Sequence, residues 1–460
     1  MAGLRSDSKY APEHVVTLNL EGLSMARLEE SRISGPGNGK VMYIPPMEPW
    51  GARFFAAAFR NIGYDARALT EDASTLAMGM KHTGGGECVP CPSTTGALLS
   101  AMERDEVDPD KVIFFMPTAC GPCRFGQYAK LNKMIFAKKS WDNVQIMSPS
   151  AENAYEGIDQ NARILLYHAL ITSDIMRKLT HRTRPYEIDK GSVEHIVEHY
   201  TQKMEKAFAA GDKKLIENHV AGCSRELAAL PKYKARRPLV GVVGEIYVRC
   251  DPFLNNDVCR RIEELGGEAW LAPISEWIFY TNHLRHLLAK EQSKGPMALL
   301  ERTRIWLETH LFFNRIEHKY YELASDILRD RHEHPIDQVL EEGMRYLPWQ
   351  FEGEAVLTLG RAALFVKKDG AKAIVNASPM FCMPGTITTS IFPQMEKELN
   401  VPIICNFYDG SGDPNQSLVP VMHYVAEPYR AEQAAEKKKT SHATRRIPRK
   451  LTRKMLADDA

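Results

Sequence analysis

Five of the nine cysteines fall in three segments that share one local design. In Gly84-Gly85-Gly86-Glu87-Cys88-Val89-Pro90-Cys91-Pro92-Ser93-Thr94, a glycine run delivers two thiols just ahead of a helix start. Gly85 and Gly86 would let the backbone approach something bulky, and Pro92 with Ser93 or Thr94 suits a first helical turn. In Met116-Pro117-Thr118-Ala119-Cys120-Gly121-Pro122-Cys123-Arg124, an apolar run ends and two thiols follow. In Pro379-Met380-Phe381-Cys382-Met383-Pro384-Gly385, one thiol sits between a strand and a helix. A thiolate-bound, anionic centre suits such places, because a helix N-terminus offers free N–H groups and the positive end of its dipole.

Three chemistries compete for these thiols. Two C-x-x-C pairs, Cys88 with Cys91 and Cys120 with Cys123, have the arms of a tetrahedral zinc site, although a zinc ribbon would not need the distant Cys382. Cys120-Gly121-Pro122-Cys123 between an apolar strand and a helix is also the pattern of a dithiol redox centre, but Ala119 stands where thioredoxins carry Trp. The third is an iron-sulfur cluster, which needs soft thiolates and low solvent access. Cys223, Cys259 and Cys405 read as small buried hydrophobes, and Cys250, at the end of a strand, is a reserve ligand.

Supporting groups stand nearby. Arg124 could offset cluster charge or join a surface ion pair. Glu245, Tyr247 and Arg249 alternate with apolar residues, so on a strand they share one face, where Glu245 and Arg249 could handle protons or substrate, or simply pair with each other. Glu87 could relay protons beside Cys88 or cap its own loop.

The elements that must hold these residues alternate between strand and helix. Strands are predicted at 41–45, 112–117, 144–147, 239–248, 268–273, 373–376 and 401–407, with helices at 50–62, 94–103, 128–138, 255–265, 353–367 and 386–399. Alternation of this kind predicts an α/β chain of two doubly wound, flavodoxin-like parallel-sheet domains with helical insertions. The expected organisation is a polar lead-in at 1–39, a first α/β domain at 40–152 with both C-x-x-C pairs, and a helical spacer at 153–235. A second α/β domain at 236–430, with a helical insertion at about 277–345, precedes a basic tail at 431–460.

Lys plus Arg (59) nearly cancels Asp plus Glu (58), so nothing in the charge calls for nucleic acid. No uncharged apolar run of about 18 residues is present, and the first residues lack the apolar stretch of a signal peptide, so the expectation is a cytoplasmic protein without a membrane segment. An odd number of cysteines then favours ligand or redox use over a disulfide framework.

The stretches Glu87-Cys88-Val89-Pro90-Cys91, Gly121-Pro122-Cys123-Arg124-Phe125-Gly126-Gln127-Tyr128, Gly244-Glu245-Ile246-Tyr247-Val248-Arg249 and Phe381-Cys382-Met383-Pro384-Gly385-Thr386 resemble the superfamily of 2-hydroxyacyl-CoA dehydratases and double-cubane cluster proteins. Within it, the chain looks most like the activase-related proteins of CoA-substrate enzymes. The resemblance implies an iron-sulfur centre in the crevice between two flavodoxin-like domains, fed with low-potential electrons by a separate homodimeric ATPase activator. The chain has no G-x-x-x-x-G-K-S/T loop of its own. It implies either an 8Fe-9S double cubane on six thiolates that reduces a small-molecule substrate, or a 4Fe-4S cubane on three thiolates in a dehydratase-like subunit. With Cys88, Cys91, Cys120, Cys123, Cys382 and Cys250 the set could reach six, with Cys405 in place of Cys250 as the variant, which leans to the larger cluster. A homodimer is the corresponding assembly.

Overall fold

In the computed structural model, apolar Val41–Ile44 forms β1, and Pro49–Asn61 follows as α1, entered through the Glu48 side chain, which accepts from the Gly51 amide. The structure describes residues 35–446 except 37, 120–122, 151–157, 293–299, 301–302 and 305–306. The thiol of Cys120 therefore lies outside the described residues, as do most of the polar lead-in and the last part of the tail.

Asp65–Ala68 is β2 and Ala73–His82 is α2. Neither stands out in the sequence: Asp-Ala-Arg-Ala has no apolar run, because this edge strand buries little more than Ala66. The signal for α2 is polar, a capping box between Asp72 and Thr75. Pro90–Arg104 (α3), Val112–Phe115 (β3), Tyr128–Lys138 (α4) and Gln145–Met147 (β4) complete the first lobe, whose sheet is wholly parallel in the order β2-β1-β3-β4.

Three helices follow, Gln160–Thr183 (α5), Ser192–Ala210 (α6) and Lys213–Ala229 (α7). The segment expected as a spacer contains the most buried of them: α5 packs on α1 and also on the second sheet, with Ala169, Ile175, Met176 and Leu179 fully buried. Its other faces are buried too, through Thr172, Asp174, Arg177 and Lys178, so it is a wall shared by both lobes.

The second lobe repeats the first. Leu239–Gly244 (β5), Glu268–Leu271 (β6), Ala373–Pro379 (β7) and Ile403–Tyr408 (β8) pair in parallel in the order β6-β5-β7-β8. The expected fold, two doubly wound parallel sheets flanked by helices, is what the chain adopts. Ile246–Cys250 (α8) and Val258–Glu264 (α9) lie between β5 and β6. Glu276–Gln292 (α10), a π-helical turn at Glu308–Phe313, Asn314–Leu323 (α11), Ser325–Leu328 (α12), Ile336–Met344 (α13) and Glu354–Lys367 (α14) lead to β7. Met383–Leu399 (α15) joins β7 to β8, and Leu418–Arg446 (α16) ends the described chain.

A shared packing device supports the repetition. In the first lobe α2 crosses α3 where a Cβ on Gly96 would lie 1.9 Å from the Thr75 carbonyl oxygen. In the second, α13 crosses α14 where a Cβ on Gly360 would lie 1.9 Å from the Val339 carbonyl oxygen. Only glycine lets two helices approach so closely.

Two expectations are corrected here. The strand predicted over 239–248 stops at Gly244, whose φ of 120° turns the chain out of the sheet and whose Cβ would strike the Ala377 carbonyl. Glu245 then caps α8 by accepting from Tyr247 N at 2.9 Å and Val248 N at 2.8 Å, so Glu245, Tyr247 and Arg249 do not line one face of a strand. Cys250 accordingly ends a helix. Residues 431–446 continue α16 as helix, and Glu436 accepts from the amides of Lys234 and Ala235 at 2.7 and 2.6 Å, tying it to the segment before β5.

Candidate metal centre

In each lobe the strand order reverses between the first and third strands, the place where open α/β sheets bind ligands. Both β3 and β7 end there, and the cysteine-bearing loops follow them. Cys123 comes after β3 and leads into a turn of 3-10 helix, Arg124–Gln127, before α4. Cys382 comes after β7 as the N-cap of α15, where its Sγ accepts from Gly385 N at 3.3 Å. The residue before it, Phe381, has a left-handed φ of 64°, a strained conformation for a side chain of that size. Cys88 reaches the same place from the loop ahead of α3, with its Sγ 2.6 Å from the Tyr128 hydroxyl at the start of α4.

These three thiols, from three loops and both lobes, line one cavity of about 1100 Å³. The other candidates go elsewhere. Cys91 is fully buried in the first turn of α3, among Tyr43, Leu98 and Leu99 of the first core. Cys250 is buried at the end of α8, and Cys405 sits in β8 near Thr389 and Asn376; neither is on the cavity wall.

The thiols are held protonated by their surroundings. Burial pushes Cys88 up to about 11 even though the Tyr128 hydroxyl pulls the other way. Burial also raises Cys123, with Glu354 adding to it, and Cys382, with Glu245 and Glu354 adding. Ionising them would call for a bound cation at the sulfurs, and metal uptake would release protons.

Two carboxyls complete this end of the cavity. Glu354, in the first turn of α14, accepts from Ile246 N at 3.2 Å through Oε1, while its buried Oε2 has no hydrogen-bond partner. Burial, reinforced by Glu245, raises it to about 8, so at neutral pH it carries a proton. Burial also raises Glu245. Glu354 is the functional candidate that sequence reasoning missed; an acid in the first turn of a helix is ordinarily read as a complement to the dipole.

Arg249 has a different role from the one its spacing suggests. Its guanidinium donates to the carbonyls of Gly244, Ala272 and Pro273 at 2.5, 3.3 and 3.0 Å, so it pins the ends of β5 and β6. Arg124 donates to the Gly86 carbonyl and lines the cavity, placing a cation beside the Cys88 loop. Gly85 has a φ of 87°, and its amide and that of Gly84 bond to the Glu87 carboxylate, so Glu87 caps its own loop. Gly85 and Gly86 face open space and are not on the cavity wall.

Cys88, Cys123 and Cys382 supply soft thiol donors from three loops to one wall. Among the described residues, no three His, Cys, Asp or Glu are gathered so as to hold one metal ion. Soft thiols are ligands that zinc and iron-sulfur centres both use.

No known family model matches the chain, and no curated protein matches it. Among the described residues no helix is long and apolar enough to cross a membrane.

Proposed function

We propose that this protein is the iron-sulfur component of a reductase or dehydratase, with Cys88, Cys123 and Cys382 as the three thiolate ligands of a 4Fe-4S cubane at the cavity wall. The observation that carries the reading is the convergence of these three thiols, separated widely in sequence, on one cavity at the carboxyl ends of both sheets. Among the described residues it supports the three-thiolate set over the six-thiolate double cubane, because Cys91, Cys250 and Cys405 are not on that wall. Cys88, Cys123 and Cys382 would hold such a cluster, which when bound would pass low-potential electrons to a substrate in the cavity.

The chain's own groups would do the rest. Tyr128 orients the Cys88 sulfur, the N-terminus of α15 directs the Gly385 amide at Cys382, and Arg124 places positive charge beside the Cys88 loop. Glu354 holds a proton on an otherwise unpartnered carboxyl within the cavity and is placed to deliver it to a substrate oxygen or carbon. Electrons would come from a separate ATP-hydrolysing activator, as the sequence resemblance implies.

The test is a set of single cysteine variants purified without oxygen. Cys88→Ala, Cys123→Ala and Cys382→Ala should each lose iron and visible absorbance, and Cys250→Ala and Cys405→Ala should keep both. Full iron retention in the Cys382→Ala variant would remove the reading.

A further inference from the structure

The cavity extends well beyond its thiol-lined end. The remainder of its wall is built from Phe55, Ile164, Leu166, Trp277, Ile278 and Phe313, contributed by α1, α5, α10 and the π-helical turn. The polar groups on the wall are largely committed to the protein: Glu48 accepts from the Gly51 amide, Arg163 donates to the Ile158 carbonyl, and Arg124 to the Gly86 carbonyl. A substrate of two or three heavy atoms would leave this aromatic and aliphatic wall in contact with water, which is costly in proportion to its area. A volume of about 1100 Å³ lies just above the usual range of pockets that enclose drug-sized ligands.

We propose that the cavity takes a drug-sized, largely apolar substrate, with an aliphatic chain or fused-ring body against α5 and α10 and one uncharged polar group directed at Cys123, Cys382 and Glu354. This rests on the reading that the thiol end is the reacting end, and it narrows the expected small-molecule substrate to a specific class. The unpartnered Glu354 Oε2 favours a polar group able to hydrogen-bond with a carboxyl oxygen, such as a hydroxyl.

The experiment uses the full chain, with iron and sulfide determined on the same sample. N-phenyl-1-naphthylamine, a neutral dye that brightens in apolar surroundings, is titrated in and then displaced by unbranched alcohols from hexanol to decanol. Apparent affinity should rise by about fourfold per added methylene, as for full burial of each group. Ile164→Trp and Ile278→Trp, two independent substitutions on the part-buried wall, should each weaken dye and decanol binding by about tenfold or more by filling the space, provided melting remains cooperative. Absence of dye binding, displacement without dependence on chain length, or binding that the folded variants leave unchanged would overturn the proposal. Chain-length-dependent binding to a sample that never acquires iron would leave the substrate class standing and remove the cluster reading. A sample with a full cluster that ignores the alcohols would do the reverse.

Discussion

The hydroxyl of Tyr247 donates to Glu71 Oε1 at 2.5 Å, joining α8 of the second lobe to the loop between β2 and α2 of the first. Around this bond, Leu76 and Val89 of the first lobe enter the core of the second, alongside Tyr247 and Val248. The cavity thus has a fixed seam on one side, and its shape depends on contacts between lobes.

Tyr247→Phe removes a part-buried hydrogen bond from a buried tyrosine to the Glu71 carboxyl group. We expect a loss of about 1.5–3 kcal/mol, read from urea unfolding at pH 7. Tyr346→Phe, which removes an exposed bond to Glu398, should cost less. Equal effects would mean that the seam contributes nothing special.

Glu317 gives a pH signature remote from the cysteines. Burial, reinforced by Glu333, raises it from 4.5 to about 8, while Arg361 and Lys178 pull it down and Asp174 pushes it up. A raised folded-state value means that the folded chain holds the proton more tightly than the unfolded chain does. Its contribution is fully present below about pH 4.5 and is lost as pH rises towards 8. Glu317→Gln should therefore flatten the decline of urea midpoint between pH 5 and 8, which for one group is at most about 1.4 kcal/mol per pH unit. Parallel profiles for the two proteins would contradict this.

The glycines separate two roles that look alike in sequence. Gly96→Ala drives a Cβ into backbone atoms of α2, where no side chain can move aside, and should cost about 3 kcal/mol or more in thermal or urea unfolding. Gly85→Ala has open space but a left-handed φ of 87°, and should cost about 1 kcal/mol. Gly86→Ala has neither obstacle and should be nearly neutral, with unchanged iron content. Loss of iron from the Gly86→Ala protein would restore close approach of that loop to the centre.

The central strands were legible because parallel strands covered on both faces are continuous apolar runs; Val112–Phe115 is buried at every position. The cysteine loops were legible because Gly and Pro punctuate them. The end of β5 was misread because Leu239 to Val248 is apolar almost throughout; only Gly244 marks the turn, and its positive φ cannot be read from composition. Glu354 was invisible for another reason. It gains its significance from Glu245 and Cys382, which the sequence places far away and the fold brings to the same wall. In α5 the apolar face was plain, but burial of Asp174, Arg177 and Lys178 depends on ion pairs, one of them with Glu333 on the far side of the insertion.

The most direct measurement is iron, acid-labile sulfide and zinc per chain in protein purified without oxygen. Three converging thiolates predict about four iron with matching sulfide and no stoichiometric zinc. About eight iron would contradict the three-thiolate set and return the larger cluster, and zinc near one without sulfide would contradict the iron-sulfur account altogether.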